Sequence, residues 1–200
     1  MLTVTLSDEQ WQKILPFLRS HPNAYVGREQ DCRQFLEVVL WITRSGAQWR
    51  LLPAEYGDWN TVYKQFSRWS RQGVFEQLHQ LFVGDADMEH LMIDSTIIRA
   101  HPCAAGASKK SVGQEAQALG RSRGGFSAKI HIAVDAVGNP LRLLLTAGQR
   151  HDSPQAGAMI EGYEPQALIA AKGYDSDLLI ESVTSKGIEA VIPPKKNRLV

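Results

Sequence analysis

Asp94 has the surroundings most suggestive of chemistry, because it stands inside an apolar run that covers residues 91–98. A carboxylate with apolar neighbours on both sides is costly to bury unless it is paired or binds a metal ion. The pattern therefore indicates an ion-paired or metal-binding carboxylate. The alternative is an aspartate at a strand end that forms an Asx turn with Ser95 and Thr96, and the pattern alone leaves both open.

A predicted helix that begins near Asp58 carries a polar, basic stripe. Steps of four and seven residues return to the same side of a helix, and this side holds Asn60, Lys64, Ser67, Arg68 and Arg71. An earlier predicted helix and Gly46 precede it, which fits the recognition helix of a helix-turn-helix motif, although the connection 46–57 is long for that motif. A basic stripe is equally typical of any solvated helix face.

Two further basic segments could contact a polyanion. The first is a loop at about 101–125, rich in Gly, Ser, Ala and Lys, and the second lies near residue 195. Flexible backbone with basic side chains suits nucleic acid, and such contacts weaken with salt. Solvated surface loops are the alternative for both. The basic residues concerned are Lys109, Lys110, Arg121, Arg123, Lys129, Lys195 and Lys196.

Two acidic positions are interpreted as structural. His151-Asp152 matches the metal-binding pair of phosphohydrolases, but a lone dipeptide is a poor signal. Asp152 or Ser153 as the cap of a helix with Pro154 in its first turn is the favoured interpretation. Asp135 lies next to a predicted hairpin turn, and we expect it to have a structural role.

The elements that must position these residues begin with four predicted helices in residues 1–85. Ser7 and Gln10 form a capping box for the first, which Pro16 is expected to kink or interrupt. The second covers about 31–45 and ends at Gly46. The third is the basic helix from Asp58, and the fourth covers about 74–83.

After residue 88 the apolar pattern changes to that of strands. Strands are predicted at 90–96, 126–136, 141–146, 167–171 and 188–192, with a turn at Gly138-Asn139 and helices near 155–162 and 176–185. Within 126–136 the apolar residues Ala128, Ile130, Ile132 and Val134 share one side. The predicted fold class is therefore α/β, with an all-helical, helix-turn-helix-like domain over 1–85 and a sheet flanked by helices over 86–200.

Composition sets broad limits. The chain has 200 residues, of which 44% are hydrophobic and 22% charged, and its net charge is +1. These values are ordinary for a globular chain of one large or two small domains, and the net charge alone does not suggest a nucleic-acid partner. No run resembles a membrane span or a signal peptide, so we expect a cytoplasmic protein without a membrane partner. Cys32 and Cys103 are expected to be inert thiols rather than a disulfide or a zinc site.

Several motifs together resemble one known family. They are an opening Leu6 to Trp11, RSGAQWRLLP at 44–53, WNTVY at 59–63 with Phe66 and Trp69, MIDST at 92–96, GGFSAKIH at 124–131, GQRHD at 148–152, KGYDS at 172–176 and IPPK at 192–195. Across essentially the whole chain this set is similar to the bacterial insertion-sequence transposases of the DDE class.

The resemblance implies an RNase H-like catalytic domain with three carboxylates, Asp, Asp and Glu, that hold two Mg²⁺ or Mn²⁺ ions for phosphoryl transfer. Asp94 matches the first carboxylate. The second is expected at position 171, where this chain has Ala171. Asp175 and Asp177 are not expected to compensate. The third has no counterpart before Val200, so the catalytic domain is expected to be incomplete.

The expected function is that of an insertion-sequence transposase that binds the terminal inverted repeats and target DNA, cuts and joins strands, and forms a homo-oligomer at synapsis. The expected location is the nucleoid of a bacterial cytoplasm. This chain itself is expected to be catalytically incomplete, through decay, a frameshift or a deliberate substitution. The alternative is a non-catalytic DNA-binding remnant or repressor of the intact element.

Overall fold

The first helix, α1 (Asp8–Ser20), begins at the predicted capping box: Ser7 accepts a hydrogen bond from the Gln10 amide, and the Gln10 side chain accepts one from the Ser7 amide. The structure, a computed structural model, describes residues 5–84, 86–100, 118–122 and 124–196. The chain divides into two units, 1–84 and 85–200. None of the described helices is long and apolar enough to cross a membrane.

Pro16 lies inside α1 and does not end it, so of its two expected effects the interruption is wrong, and the kink stays a prediction. A proline in a helix leaves the carbonyl four residues earlier without its amide donor. That carbonyl belongs to Gln12, and both Gln12 and Pro16 lie on the exposed side of α1, where water can take the place of the missing donor.

The helical unit continues with α2 (Glu29–Ser45), α3 (Trp59–Arg71) and α4 (Val74–Val83). Gly46 ends α2 in the left-handed conformation, as predicted. Two 3₁₀ turns, Trp49–Leu51 and Ala54–Tyr56, fill the long connection to α3. The core of this unit contains Trp11, Ile14, Leu18, Cys32, Phe35, Leu36, Trp69 and Val74.

Cys32 is a buried free thiol, and burial raises its pKa to about 11, which favours the prediction of an inert thiol. Cys103 lies outside the described residues.

Over its described residues, the second unit is a mixed sheet with two α-helices. Its strands are β1 (His90–Arg99), β2 (Gly120–Ser122), β3 (Gly125–Val134), β4 (Pro140–Ala147), β5 (Ala167–Ala170) and β6 (Glu189–Val191), and its helices are α5 (Ala156–Ile160) and α6 (Asp177–Thr184). β1 pairs antiparallel with β3 and parallel with β5, and β5 pairs parallel with β6. β2 and β4 pair with successive parts of β3. The predicted order, a helical region followed by a mixed sheet with helices, is confirmed; the short strand β2 was not predicted.

The two faces of β3 differ from what its apolar alternation suggests. Ser127, Lys129, His131 and Ala133 are buried, whereas the apolar residues Ala128, Ile130, Ile132 and Val134 are half-buried. α5 packs against β1, β3 and β4. On the face of the half-buried residues, Ile98, Leu143 and Leu145 keep 48%, 60% and 58% of their surface exposed. The buried face of this strand is therefore its polar one.

Candidate active site

Asp94 lies in the middle of β1, in register with Ile132 on β3, and its side chain is exposed. Because side chains alternate along a strand, Asp94 points to the face opposite its buried neighbour Ile93. Among the described residues, Asp94 forms none of the ion pairs that its apolar flanks indicated as one possibility. Its Oδ1 accepts a hydrogen bond from the Ser95 amide at 2.7 Å, but β1 continues to Arg99, so Asp94 does not stand at a strand end as the Asx-turn alternative required.

Position 171 lies beside Asp94. Ile93 pairs in parallel with Ala170, the last residue of β5. Asp94 follows Ile93 on β1, and Ala171 follows Ala170 in extended conformation just after β5 ends. If the parallel register continues by one residue, the two side chains share a face of the sheet. Ala171 is exposed and leads into the 3₁₀ turn Lys172–Tyr174. A methyl group thus stands where the resemblance placed the second carboxylate.

Asp175 and Asp177, the two aspartates close to position 171 in sequence, have different surroundings from Asp94. Asp175 is buried, and its Oδ2 accepts a hydrogen bond from the Lys195 amide at 2.7 Å. Asp177 is the first residue of α6 and is exposed. Among the residues that the structure describes, no three His, Cys, Asp or Glu side chains come together to hold a metal ion. This donor set does not fit the two-cation site that the resemblance implies.

A second carboxylate, Asp152, forms an ion pair on the other face of the sheet. Its Oδ1 lies 2.8 Å from Lys129 Nζ and 2.9 Å from Ser95 Oγ. Lys129 Nζ also donates to the Arg150 carbonyl at 2.8 Å. Burial by itself would raise the pKa of Asp152, but the hydrogen bonds from Lys129 and Ser95 outweigh it and hold this pKa below its usual value. Asp152 is therefore an ionised carboxylate at neutral pH.

His131 and Tyr174 extend this polar cluster. His131 Nδ1 lies 3.1 Å from the Tyr174 hydroxyl, and His131 Nε2 lies 3.0 Å from Thr146 Oγ1. Neither His131 nor Tyr174 has exposed surface. Burial lowers the pKa of His131, and it raises the pKa of Tyr174 to about 12, with the charge of Asp152 adding to the rise. Both side chains are neutral at neutral pH.

The structure corrects two sequence interpretations at this cluster. Asp152 precedes the 3₁₀ turn Ser153–Gln155 but makes no capping hydrogen bond, because its carboxylate is engaged by Lys129 and Ser95. Lys129, expected as a DNA contact, is only 8% exposed and lies on β3, so it is a structural cation rather than a surface one. The signal that could have found the cluster is the alternation of Ser127, Lys129 and His131 along a strand.

The basic residues of α3 lie along one side of the helix, as predicted. Lys64, Arg68 and Arg71 are exposed, and Asn60 is half-buried. The opposite side packs through Trp69, Val62 and Phe66 into the core. The Arg71 Nε donates to the Ser67 carbonyl at 3.1 Å, which orients the guanidinium along the helix. The Asp58 side chain caps α3 by accepting from the Thr61 amide at 2.9 Å.

The other residues that were predicted to contact DNA lie in different environments. Arg121 on β2 stacks over the Phe126 ring at 5.2 Å. Lys195 Nζ donates to the Asp175 carbonyl at 2.7 Å, while Lys196 is exposed. Lys109, Lys110 and Arg123 lie outside the described residues. Whether any of these residues contacts DNA stays a prediction.

Both units of the chain match known protein families. Residues 6–79 match the family described as "Putative transposase of IS4/5 family", and residues 85–199 match the family described as "Transposase DDE domain". The second match alone covers more than half of the chain.

Individual relatives agree with these matches. The chain is 40% identical over 109 residues to "Uncharacterized protein y4sN" of Sinorhizobium fredii, covering 54% of this chain and 87% of that one. It is 30% identical over 110 residues to "Insertion element IS402 uncharacterized 16.2 kDa protein" of Burkholderia cepacia, covering 48% of this chain and 73% of that one. A solved structure, "Mos1 transposase paired-end complex with left transposon end", aligns at 10% identity and a TM-score of 0.33 over 78% of this chain and 57% of that one. This last likeness is too weak to carry an argument.

Proposed function

We propose, from the premise that this chain belongs to the family of DDE-domain transposases, that it binds the terminal inverted repeats of an insertion element through its helical unit but does not cut DNA by itself. The observation that carries the proposal is the register of Ile93 with Ala170, which sets Ala171 beside Asp94. The family's chemistry uses divalent cations held by carboxylates.

The absence of cutting follows from the donor atoms at these two positions. Asp94 offers one carboxylate to a cation, and Ala171 offers none. A hard cation such as Mg²⁺ requires oxygen ligands in near-octahedral geometry. A single exposed carboxylate leaves almost all of that coordination to water, so we expect binding of Mg²⁺ or Mn²⁺ by this chain to be weak and phosphodiester cleavage to be absent.

DNA binding by the helical unit is supported by the chemistry of α3. Its exposed side presents Lys64, Arg68 and Arg71 within two turns, while its other side is anchored in the core. Such a helix can lie against the phosphate backbone with its polar residues toward the base edges. We propose that synapsis of two ends, and hence a homo-oligomer, forms only on DNA in the bacterial nucleoid.

The binding test uses the full chain and fluorescently labelled duplexes from both flanks of its gene, with a shuffled duplex as the nonspecific reference. Replacement of Lys64, Arg68 and Arg71 together by Ala is expected to weaken binding by at least about tenfold. The matched control replaces Lys13, Arg19 and Arg28, which lie on or beside α1 and α2, and removes the same charge. Equal affinities for the two triple variants would reject α3 as the DNA-binding element.

The cleavage test incubates the chain with supercoiled plasmid that carries the same flanking DNA, in Mg²⁺ and separately in Mn²⁺. No nicked product above the level of the Asp94→Asn variant is expected. Nicking by the unmodified chain that disappears in Asp94→Asn would overturn the proposal of a catalytically incomplete chain.

The second candidate function is repression, and Ala171 is the observation that favours it. A chain that occupies the terminal repeats without cutting them competes with an active relative for the same DNA. The test is a reporter gene placed behind the flanking DNA: expression of this chain should lower the reporter signal, and the α3 triple variant should restore it. An unchanged reporter despite measurable binding in vitro would reject this role.

A further inference from the structure

Strand β4 lies at an edge of the sheet. Within the described residues it pairs only with β3, so its outer side has no partner strand. Leu143 and Leu145 on this strand keep 60% and 58% of their surface exposed. An edge strand with unpaired amides and carbonyls is a template for pairing with another strand. The outward backbone groups of β4 therefore decide what can bind here.

One hydrogen bond fixes which backbone groups of β4 point outward. The Gly148 amide donates to the Ser127 carbonyl across 3.1 Å and continues the ladder between β3 and β4. Along a strand of an antiparallel sheet, successive residues direct their amides and carbonyls to alternate sides. The residues of even number on β4 therefore face β3, and those of odd number direct their amides and carbonyls to the open edge.

Both ends of this edge are closed, whereas its middle is open. The Tyr163 hydroxyl donates to the Leu141 carbonyl across 3.1 Å. At the other end, the amide three residues further along the chain donates to the Ala147 carbonyl across 2.9 Å. Between these ends, Leu143 and Leu145 have outward amides and carbonyls that no group in the described part of the chain engages. Residues 143–145 are called the window below.

The window is complementary to a second copy of itself. When two copies pair antiparallel about a two-fold axis at Leu144, Leu143 of each copy opposes Leu145 of the other. The two outward amides and two outward carbonyls of each copy then form four hydrogen bonds, and the opposed leucines contact each other on the open face of the sheet. Arg142, the only charged residue of β4, opposes Thr146 and not a second arginine.

Other registers use fewer of these groups. An axis at Leu143 would oppose Leu145 to Leu141, whose carbonyl already accepts from Tyr163. An axis at Leu145 would oppose Leu143 to Ala147, whose carbonyl is also engaged. An axis between two residues would oppose an outward-facing residue to an inward-facing one, which leaves their hydrogen bonds unmade. The axis at Leu144 is therefore the favoured one.

We propose that β4 is a contact between two copies of this chain, formed by antiparallel pairing of the two windows about Leu144. The contact uses three residues of each copy, which is far less than the roughly 800 Å² per partner that a stable interface buries. Free copies are therefore mainly monomers, and the contact forms when two copies are brought together. Binding of two copies at the ends of one element does this, and only this last step rests on the proposed function.

Disulfide trapping detects such a weak contact in the full chain. Leu144→Cys is combined with Cys103→Ser, so that the buried Cys32 is the only other thiol. The two Leu144 positions form a non-hydrogen-bonded pair with Cα atoms about 4.5 Å apart, within the range of a disulfide. Under mild oxidation without DNA, we expect a disulfide-linked dimer. Leu178→Cys, at an 82% exposed position on α6, measures random collision and should link at least about tenfold more slowly.

The register is tested with cysteines at the two flanking positions. Leu143→Cys alone and Leu145→Cys alone set the two thiols out of register, and each should link about as slowly as Leu178→Cys. An equal mixture of the two variants opposes position 143 of one copy to position 145 of the other. Mixed dimers should therefore form faster than dimers of either variant alone. Both positions are exposed, so this mixture also serves if Leu144→Cys does not fold.

A matched pair of charge variants tests the same register in the Leu144→Cys chain. Leu143→Glu with Leu145→Glu sets like charges opposite each other across the axis, and we expect linking to slow by at least about tenfold. Leu143→Lys with Leu145→Glu replaces the same leucines but opposes unlike charges, so linking should persist. Circular dichroism checks that both variants keep the fold.

Linking of Leu144→Cys and of the mixture at the rate of Leu178→Cys would overturn the proposal; this is also the result expected if another segment or another protein covers the edge. Equal rates for the two charge variants would overturn the register about Leu144. No DNA or divalent cation is present in these measurements, so their outcome is independent of the binding and cleavage tests.

Discussion

Asp94 on β1 and Ala171, the residue directly after β5, each follow one member of the last parallel pair of these strands, Ile93 and Ala170. A carboxylate and a methyl group therefore share one face of the sheet at the point where β5 ends. Under the function proposed above, a cation at this point of the sheet would meet one carboxylate and not two.

Replacement of Ala171 by Asp should create a two-carboxylate cation site with Asp94. In chelator the two negative charges repel each other, so the melting temperature of Ala171→Asp should fall below that of the unmodified chain. Mn²⁺ should raise it again, with an affinity about tenfold tighter than for the unmodified chain. Differential scanning fluorimetry over a Mn²⁺ titration measures both effects.

Ala171→Asn is the matched control, since it has the same size and no charge, and Asp94→Asn combined with Ala171→Asp removes the partner. Neither variant should show the tighter Mn²⁺ response. Equal responses of Ala171→Asp and Ala171→Asn would contradict the placement of position 171 beside Asp94.

Gly173 and Gly157 should differ sharply in their tolerance of a methyl group. A Cβ at Gly173 would lie 2.7 Å from Asp152 Oδ2, whereas a Cβ at Gly157 on α5 would meet no atom within 4 Å. Gly173→Ala should therefore lower the free energy of unfolding by about 1–3 kcal/mol, as overpacking does. Gly157→Ala should leave it unchanged or raise it by up to about 1 kcal/mol, because alanine favours a helix over glycine.

Urea denaturation at neutral pH compares the two glycine variants directly. A similar loss of stability in both would show that the turn at Gly173 does not lie against Asp152. A loss only in Gly157→Ala would contradict the packing of both positions.

Asp135 should make the second unit sensitive to acid. It has no exposed surface, and its carboxylate accepts hydrogen bonds from the Val137 and Asn139 amides, from the Asn139 side chain and from the Asp87 amide. Burial by itself would raise its pKa, but these donors outweigh burial and hold the pKa of Asp135 below its usual value.

The sign of the acid effect follows from this lowered pKa. The unfolded chain binds a proton at Asp135 near pH 4, before the folded protein does. The stabilisation by Asp135 is therefore fully present above about pH 4 and is lost as the pH falls through the lower pKa of the folded state. Urea denaturation between pH 7 and pH 3 should show a steeper loss for the unmodified chain than for Asp135→Asn. Parallel pH profiles would contradict a lowered pKa at this residue.

Much of the fold could be predicted because its signals are local. The capping box at Ser7 sets the start of α1, and the left-handed Gly46 sets the end of α2, each within a few residues of sequence. The strand alternation of 126–136 predicted β3 but not its buried face. That face is polar and buried, and α5 packs against β3, which no local periodicity reveals.

The candidate site could be predicted only in part for the same reason. Asp94 was found from its apolar flanks and its motif, and Ala171 from the motif. The Lys129–Asp152 pair joins residues 23 positions apart, and the His131–Tyr174 contact joins residues 43 apart. Contacts at such separations depend on strand register and turn geometry, so Asp152 looked like a helix cap and Lys129 like a surface cation.

The α3 stripe should determine how strongly DNA binding depends on salt. Each phosphate neutralised by a lysine or arginine releases counterions, which adds about 0.9 to the slope of log affinity against log salt concentration for double-stranded DNA. Removal of Lys64, Arg68 and Arg71, all exposed on α3, should therefore reduce the slope by about 2.7. Fluorescence anisotropy over a KCl series from low to physiological concentration measures it. The control variant at Lys13, Arg19 and Arg28 lowers the net charge by the same amount. It should keep the slope, because the slope counts phosphates neutralised by direct contact and not the net charge of the protein. Two triple variants with the same reduced slope would mean that α3 attracts DNA only through net charge and contacts no phosphate.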